Sequence, residues 1–212
     1  SDQSVCGNNP SVNLSGSVVN AAGGIWEGGN GTFIPSNTSL NAIYVPSEGE
    51  IINGSVTLLL RSTGNGNCFE ESDEMVIEIS DPPEVDAGPD VVNCVDDLNV
   101  SLSGTVSGPT NTGIWSTSGT GFFIPNNTDL NATYVISSQD SINGGVTLVL
   151  TSTNNLNCLP VSDSLRVSVF PVGIANAGPN QSVCKNNAIV QLNGSISGAA
   201  SSGVWSTSGT GE

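Results

Sequence analysis

Cysteine thiols and carboxylates are the groups in this sequence whose spacing could serve a chemical purpose, because its 212 residues include no histidine. The five cysteines are Cys6, Cys68, Cys94, Cys158 and Cys184. The sequence contains nineteen acidic and three basic residues, which gives a net charge of -16. Thiols without histidine favour disulfides, and carboxylates without histidine leave calcium binding or a carboxylate-pair glycosidase as the chemistries to weigh.

The cysteine spacing predicts two disulfides, each within one repeat. Cys6, Cys94 and Cys184 are 88 and 90 residues apart, and Cys68 and Cys158 are 90 apart. We therefore expect the pairs Cys6–Cys68 and Cys94–Cys158, with the partner of Cys184 near position 248, outside the chain. Each bond would add about 4 kcal/mol in the chain-entropy model and indicates an oxidising, extracellular setting. A metal site is the alternative, but cysteines 62 and 64 residues apart without histidine do not match metal-ligand spacing.

The acidic residues cluster between positions 70 and 97, where eleven of them occur, whereas the equivalent stretch 160–187 holds only Asp163. Carboxylates at a junction between domains could bind calcium, and Asp73, Asp86 and Asp90 are the candidates. The D-x-D-x-D-G pattern is missing, and Asp73 and Asp90 stand in local patterns that favour turn capping. The sequence therefore predicts a solvated acidic face, no metal site and no cofactor.

The same sequence phrase recurs three times, which identifies tandem repeats. Its tryptophans, Trp26, Trp115 and Trp205, are 89 and 90 residues apart. Residues 31–73 and 121–163 are identical at 26 of 43 positions. We place the first repeat at 1–88, the second at 89–178, and the beginning of a third at 179–212.

Short runs of alternating apolar and polar residues predict about seven strands in each repeat. The expected fold is all-β, with tandem Ig-like β-sandwich repeats of about 90 residues arranged end to end. One tryptophan per repeat at a fixed strand position predicts core residues, which are Trp26, Trp115 and Trp205, together with Tyr44 and Tyr134. At most one helical turn is expected, near "SEGEI" and "SQDSI".

Several classes of function are disfavoured. A net charge of -16 argues against nucleic-acid binding, which needs clustered basic side chains. No apolar run of about 18 residues occurs, so no membrane insertion is expected. Catalysis is not expected, because the sequence has no G-x-S-x-G motif and no P-loop, and its acids do not recur between repeats.

The segments "AGPNQSVC", "GVWSTSGTG", "FIPNNTDLNATYV" and "NGGVTLVLTSTNNLNC" together resemble the tandem Ig-like or PKD-like repeats of giant Bacteroidetes cell-surface proteins, such as gliding-motility adhesins. The resemblance covers essentially the whole chain. It implies export to the cell surface through the type IX route, and it carries over no catalytic residues. Such proteins also carry O-glycans at Asp-Ser/Thr followed by an aliphatic residue, which Ser141 and Ser164 match.

These observations favour a non-catalytic structural repeat of an extracellular adhesin stalk or surface filament, whose partners are other copies of the repeat or neighbouring subunits. A carbohydrate-binding surface module, holding a glycan or surface ligand on an exposed tryptophan or tyrosine, is the alternative. The incomplete third repeat favours a piece of a longer repeat protein. It is also compatible with a fibre subunit completed by a neighbouring chain, or with a disordered tail.

Overall fold

The structure, a computed structural model, describes residues 1–210 and divides into two compact units. Unit 1 contains Ser1–Asp86, Gly104–Ile114 and Leu150–Asp163. Unit 2 contains Ala87–Ser103, Trp115–Val149 and Ser164 onwards. Two segments of the second sequence repeat therefore belong to the same unit as the first repeat. The repeat boundaries at residues 88 and 178 concern the sequence pattern and stay a prediction.

The first repeat consists of short strands and one helix of six residues. In chain order these are β1 (Gln3–Cys6), β2 (Val12–Asn13), β3 (Gly23–Glu27), β4 (Thr32–Ile34), β5 (Ile43–Val45), α1 (Glu48–Asn53), β6 (Ser55–Thr63), β7 (Ser72–Ser80) and β8 (Glu84–Asp86).

Two sheets enclose the core of the first repeat. One has the strand order β1-β7-β6-β3 and the other the order β2-β5-β4. The alternation along β6 turns Val56, Leu58 and Leu60 inward, as expected for a strand with one buried face. They pack in one cluster with Trp26 of β3, Tyr44 of β5 and other buried side chains of both sheets. The arrangement is a β-sandwich of seven strands.

The second repeat has the same element order with one additional strand, β11. Its elements are β9 (Val91–Cys94), β10 (Asn99–Ser101), β11 (Thr105–Ser107), β12 (Thr112–Thr117), β13 (Phe122–Ile124), β14 (Thr133–Val135), α2 (Ser138–Ile142), β15 (Gly145–Thr153), β16 (Ser162–Phe170) and β17 (Ile174–Asn176). The last strand of the described residues, β18 (Ser195–Ser197), lies in the third repeat.

The second repeat also has the same strand pairing. Its sheets have the orders β12-β15-β16-β9 and β10-β14-β13, and two small sheets pair β11 with β8 and β18 with β17. The all-β prediction of Ig-like sandwiches is confirmed. The single turns expected near "SEGEI" and "SQDSI" are the short helices α1 and α2.

In each repeat the first strand runs parallel to the second of the two nine-residue strands. Strand β1 pairs with β7 so that Cys6 lies beside Ser80, and β9 pairs with β16 so that Cys94 lies beside Phe170. The first cysteine of each repeat therefore lies beside the last residue of that repeat's second long strand, β7 or β16. This direction decides which cysteines can meet.

Candidate functional site: the disulfide joint and the buried carboxylates

The structure corrects the predicted cysteine pairing. The disulfide joins Cys6 to Cys158, across 152 residues of sequence, with the two Cα atoms 4.9 Å apart. Neither Cys6–Cys68 nor Cys94–Cys158 is formed, and Cys68, Cys94 and Cys184 are free and exposed within the described residues. The bond links the first strand of one sequence repeat to a hairpin loop of the next.

The reason lies in the strand directions. Cys6 is level with the last residue of β7, whereas Cys68 precedes the first residue of that strand by four residues. A nine-residue strand spans about 26 Å, and the four residues from Cys68 to Ser72 reach at most about 14 Å. A disulfide needs Cα atoms within about 7 Å, so the two thiols cannot meet in this fold.

Three asparagines form hydrogen bonds around the disulfide. The Asn8 side-chain amide donates to the carbonyl oxygen of Leu159 and accepts from the Leu159 backbone N–H, both at 3.0 Å. The Asn157 amide donates to the Ser4 carbonyl at 2.8 Å, and the Asn9 amide donates to the Asn157 carbonyl at 3.5 Å. We call this set, with Cys6 and Cys158, the joint. All of its residues lie in unit 1.

A second feature is a carboxylate buried in the first repeat. Glu50 is only 6% exposed, and it accepts hydrogen bonds from the Tyr44 hydroxyl at 2.8 Å and from the backbone N–H groups of Asn30 and Ser47, each at 2.7 Å. Ser47 caps α1, and Glu50 closes a capping box with it. The carboxylate therefore ties three separate chain segments together.

The second repeat builds the same cluster around Asp140. This carboxylate is 1% exposed and accepts from the Tyr134 hydroxyl at 2.8 Å and from the backbone N–H groups of Thr120, Gly121 and Ser137 at 2.9, 3.1 and 3.1 Å. Ser137 caps α2 in the same capping-box arrangement. Repetition of the cluster with Asp in place of Glu indicates a structural role in the first and second repeats.

The surroundings of these carboxylates set their protonation. Burial raises the pKa of Glu50, but the hydrogen bonds from Ser47, Asn30 and Tyr44 outweigh it, so its pKa lies below the usual value. The pKa of Asp140 is lowered in the same way, with burial opposed by hydrogen bonds from Thr120, Ser137 and Tyr134. Burial and the hydrogen bond to Glu50 raise the pKa of Tyr44 to about 12. Both carboxylates are therefore ionised acceptors at neutral pH.

The glycines of the recurrent phrase allow the backbone to approach these carboxylates closely. A Cβ atom at Gly119 would lie closer than 3.0 Å to the Asp140 carboxylate, and one at Gly121 would collide with the Val135 carbonyl oxygen. Only glycine lets the backbone of "SGTG" approach closely enough to donate to Asp140. Sequence reasoning missed this cluster, although the serine three residues before each acid was a readable signal.

Two of the three tryptophans and both tyrosines lie in the core. Trp26 and Trp115 are buried, and their indole N–H groups donate to the carbonyls of Leu40 and Leu130, both at 3.3 Å. Tyr44 and Tyr134 are fully buried.

Trp205 differs from this expectation, because it is 52% exposed. Residues 179–210 hold no counterpart of β5, β6 and β7 to cover the indole ring.

The calcium candidates do not converge. Asp73 is exposed on β7 opposite Leu60, and Asp86 lies on β8 opposite Thr105. Asp90 accepts from the Arg166 backbone N–H at 2.7 Å, a contact that Asp2 repeats with Val76 at 2.9 Å. Within residues 1–210, no group of three or more Cys, Asp or Glu side chains is placed to hold a metal ion.

The two glycosylation candidates lie in different settings. The Ser141 hydroxyl, in α2, donates to the Ser137 carbonyl at 3.2 Å, and Ser164 is exposed on β16. Their modification stays a prediction. None of the helices in residues 1–210 has the length and apolarity required to cross a membrane.

Comparisons with known proteins return similar structures only. No protein-family model matches the sequence, and no curated protein matches it. Extracellular cadherin domains 3–6 of protocadherin gamma B2 are similar at 14% identity and a TM-score of 0.40, over 95% of this chain and 55% of that one.

Two further similar structures are of insect proteins. The insect immune protein hemolin gives 12% identity and a TM-score of 0.41, over 79% of this chain and 44% of that one. Drosophila N-cadherin EC1-4 gives 15% and 0.41, over 80% and 47%. The chain spans about half the length of these structures.

Proposed function

We propose that this chain is a non-catalytic structural repeat of an extracellular adhesin stalk or surface filament, in which disulfides hold successive repeats together. The Cys6–Cys158 bond is the observation that carries the proposal. It connects one sequence repeat to the next and is supported by paired amide hydrogen bonds. A bond in this position resists separation of the repeats, which suits a protein that acts through length and stiffness.

The setting follows from the same bond. A disulfide that persists requires an oxidising compartment, so we place the protein outside the cytoplasm, at the cell surface. The resemblance of its repeats to those of giant Bacteroidetes surface proteins supports export through the type IX route and a role related to gliding-motility adhesins. Other copies of the repeat, or neighbouring subunits, are the partners we propose.

Electron microscopy of native surface material, labelled with an antibody against one repeat, tests the proposed stalk. We expect thin filaments decorated along their length. Label confined to filament tips, or spread diffusely over the surface, would overturn the stalk and favour a binding module.

A further inference from the structure

The joint uses one cysteine of each of two types, and the other cysteines of both types are unpaired within residues 1–210. Cysteines of the first type, Cys6 and Cys184, begin a C-x-N-N turn. Cysteines of the second type, Cys68 and Cys158, follow an asparagine in the loop between the two long strands of a repeat. We propose that Cys68 is a second stapling site, which takes the C-x-N-N cysteine of another copy of the repeat to form the same joint as Cys6–Cys158.

The loop that carries Cys68 is already folded like the loop that carries Cys158. The Cys68 N–H donates to the Asn65 carbonyl at 3.1 Å, and the Cys158 N–H donates to the Asn155 carbonyl at 2.9 Å. The Asn65 amide donates to the Ser62 carbonyl at 3.3 Å, and Asn155 donates to Ser152 at 3.2 Å. Asn67 and Phe69 stand where Asn157 and Leu159 contribute to the joint. The receiving half of a joint is therefore present around Cys68.

Two large apolar side chains near Cys68 are uncovered. Phe69 is 94% exposed and Val19 is 82% exposed, and both line one depression together with Cys68. Cys158, the equivalent cysteine in the joint, is buried. Exposed apolar side chains beside a free thiol fit a surface that another protein covers. The joint shows what covers the equivalent loop, namely the C-x-N-N turn of another repeat.

The donating half of a joint is preformed at Cys184. The Asn187 N–H donates to the Cys184 carbonyl at 2.9 Å, as Asn9 does to Cys6 at 2.8 Å. Both pairs form an isolated β-bridge. The Gln181 amide donates to the Gln191 carbonyl at 2.8 Å, repeating the contact of Gln3 with Asn13 at 3.1 Å. Cys184 is free and exposed.

Cys94 is a poorer partner, because its turn is C-x-D-D. Asn8 uses both ends of its amide at the joint, one to donate to the Leu159 carbonyl and one to accept from the Leu159 N–H. Asp96, at the equivalent position, can accept but cannot donate when ionised. Its carboxylate would face a carbonyl oxygen instead of bonding to it. The asparagine turn of Cys184 should therefore be preferred over the aspartate turn of Cys94.

The bond-forming step needs an oxidant, for which we name a low-molecular-weight disulfide such as glutathione disulfide. The Cys68 thiolate attacks it, forming a mixed disulfide and releasing one glutathione thiolate. The Cys184 thiolate of a second chain then attacks the Cys68 sulfur and releases the second glutathione. Two protein thiols are oxidised to one disulfide, and one glutathione disulfide is reduced to two thiols.

The 212-residue chain provides the test, incubated at high concentration in a glutathione redox buffer with 0.15 M salt. Because each chain carries both halves, the contact is head to tail and does not close, so we expect a ladder of covalent multimers on a non-reducing gel. Peptide mapping should find Cys68 linked to Cys184. Cys68→Ser and Cys184→Ser should each lose the ladder, and Cys94→Ser should keep it.

Mixing the single variants sharpens the result. Cys68→Ser retains only the donating half and Cys184→Ser only the receiving half, so in a Cys94→Ser background the mixture should stop at a covalent dimer. Asn186→Asp should lower the yield of the ladder about five-fold through the lost hydrogen bond, whereas Asn193→Asp, an exposed control, should not.

Symmetric Cys68–Cys68 bonds, a statistical mixture that includes Cys94, or no covalent multimer while Cys6–Cys158 is intact would each overturn the inference. The inference deepens the proposed function and rests on it for an oxidising setting. Its experiment runs in a defined buffer, so a negative result removes the second staple and leaves the stalk standing. A negative microscopy result removes the stalk and leaves the chemistry of Cys68 to be judged separately.

Discussion

Cys6 and Cys158 form a disulfide although 152 residues separate them in sequence. The bond links the end of β1, beside the last residue of β7, to the hairpin loop of the next sequence repeat. The partner of each cysteine is therefore found one repeat away, not in the same repeat. A staple in this position holds neighbouring repeats together even when one of them opens.

Removal of the Cys6–Cys158 bond should destabilise the chain strongly. A closed loop of this length is expected to contribute about 5 kcal/mol in the chain-entropy model. The free energy of unfolding in urea should fall by up to that amount in the Cys6→Ser, Cys158→Ser double variant. Cys68→Ser and Cys94→Ser, at free and exposed positions, should stay within about 0.5 kcal/mol of the parent at low protein concentration. A large loss in either control with no loss in the double variant would contradict the pairing.

The buried carboxylate of Glu50 should matter far more than its exposed neighbour on the same helix. Glu50→Gln places an amide among groups that donate hydrogen bonds, so at least one of them loses its acceptor. We expect a loss of about 1–3 kcal/mol in the free energy of unfolding. Glu48→Gln, exposed in α1, should change it by less than about 0.5 kcal/mol. If Glu50→Gln and Glu48→Gln changed the free energy of unfolding equally, the hydrogen bonds around Glu50 would not stabilise the fold.

Acid should remove the contribution of Glu50. Its pKa is lower in the folded state than the ordinary value of 4.5, so the unfolded chain binds more protons between the two values. The stabilisation is fully present above about pH 4.5 and disappears as the pH falls through the lowered pKa. The difference in unfolding free energy between the parent and Glu50→Gln should therefore narrow below pH 4.5. A difference that stays constant down to pH 2 would contradict the ionised assignment.

The glycine phrase should tolerate no side chain. Gly121→Ala would push a methyl group against the Val135 carbonyl and the Tyr134 hydroxyl, and we expect a loss of about 1–3 kcal/mol by thermal unfolding. Gly49 provides the matched control, because a Cβ there meets nothing within 4 Å. Since alanine favours helices, Gly49→Ala should be neutral or stabilising by up to about 1 kcal/mol.

The sequence predicts the sandwiches well because their signals are local. Alternation along residues 55–63 and 145–153 and the fixed positions of Trp26 and Trp115 place the strands and the core. The cysteine pairing is different, since Cys6–Cys68 and Cys6–Cys158 fit the repeat spacing equally well. The choice depends on the parallel direction of β1 beside β7, which no local pattern encodes. The strand pattern also does not show that Glu50, six residues after Tyr44, accepts a hydrogen bond from its hydroxyl.

Stretching the 212-residue chain between its two ends, one molecule at a time, tests the stapled-repeat account most directly. If Cys6 and Cys158 are bonded, the oxidised chain, fully unfolded by force, should be shorter than the Cys6→Ser, Cys158→Ser variant by the 152 residues inside the loop, or roughly 500 Å. Disulfides Cys6–Cys68 and Cys94–Cys158 would instead shorten the stretched chain by two loops of 62 and 64 residues. In a Cys158→Ser single variant, only the 64-residue loop would then be released. Equal lengths for the oxidised chain and the double variant, or a length that changes by only one short loop in Cys158→Ser, would contradict the joint.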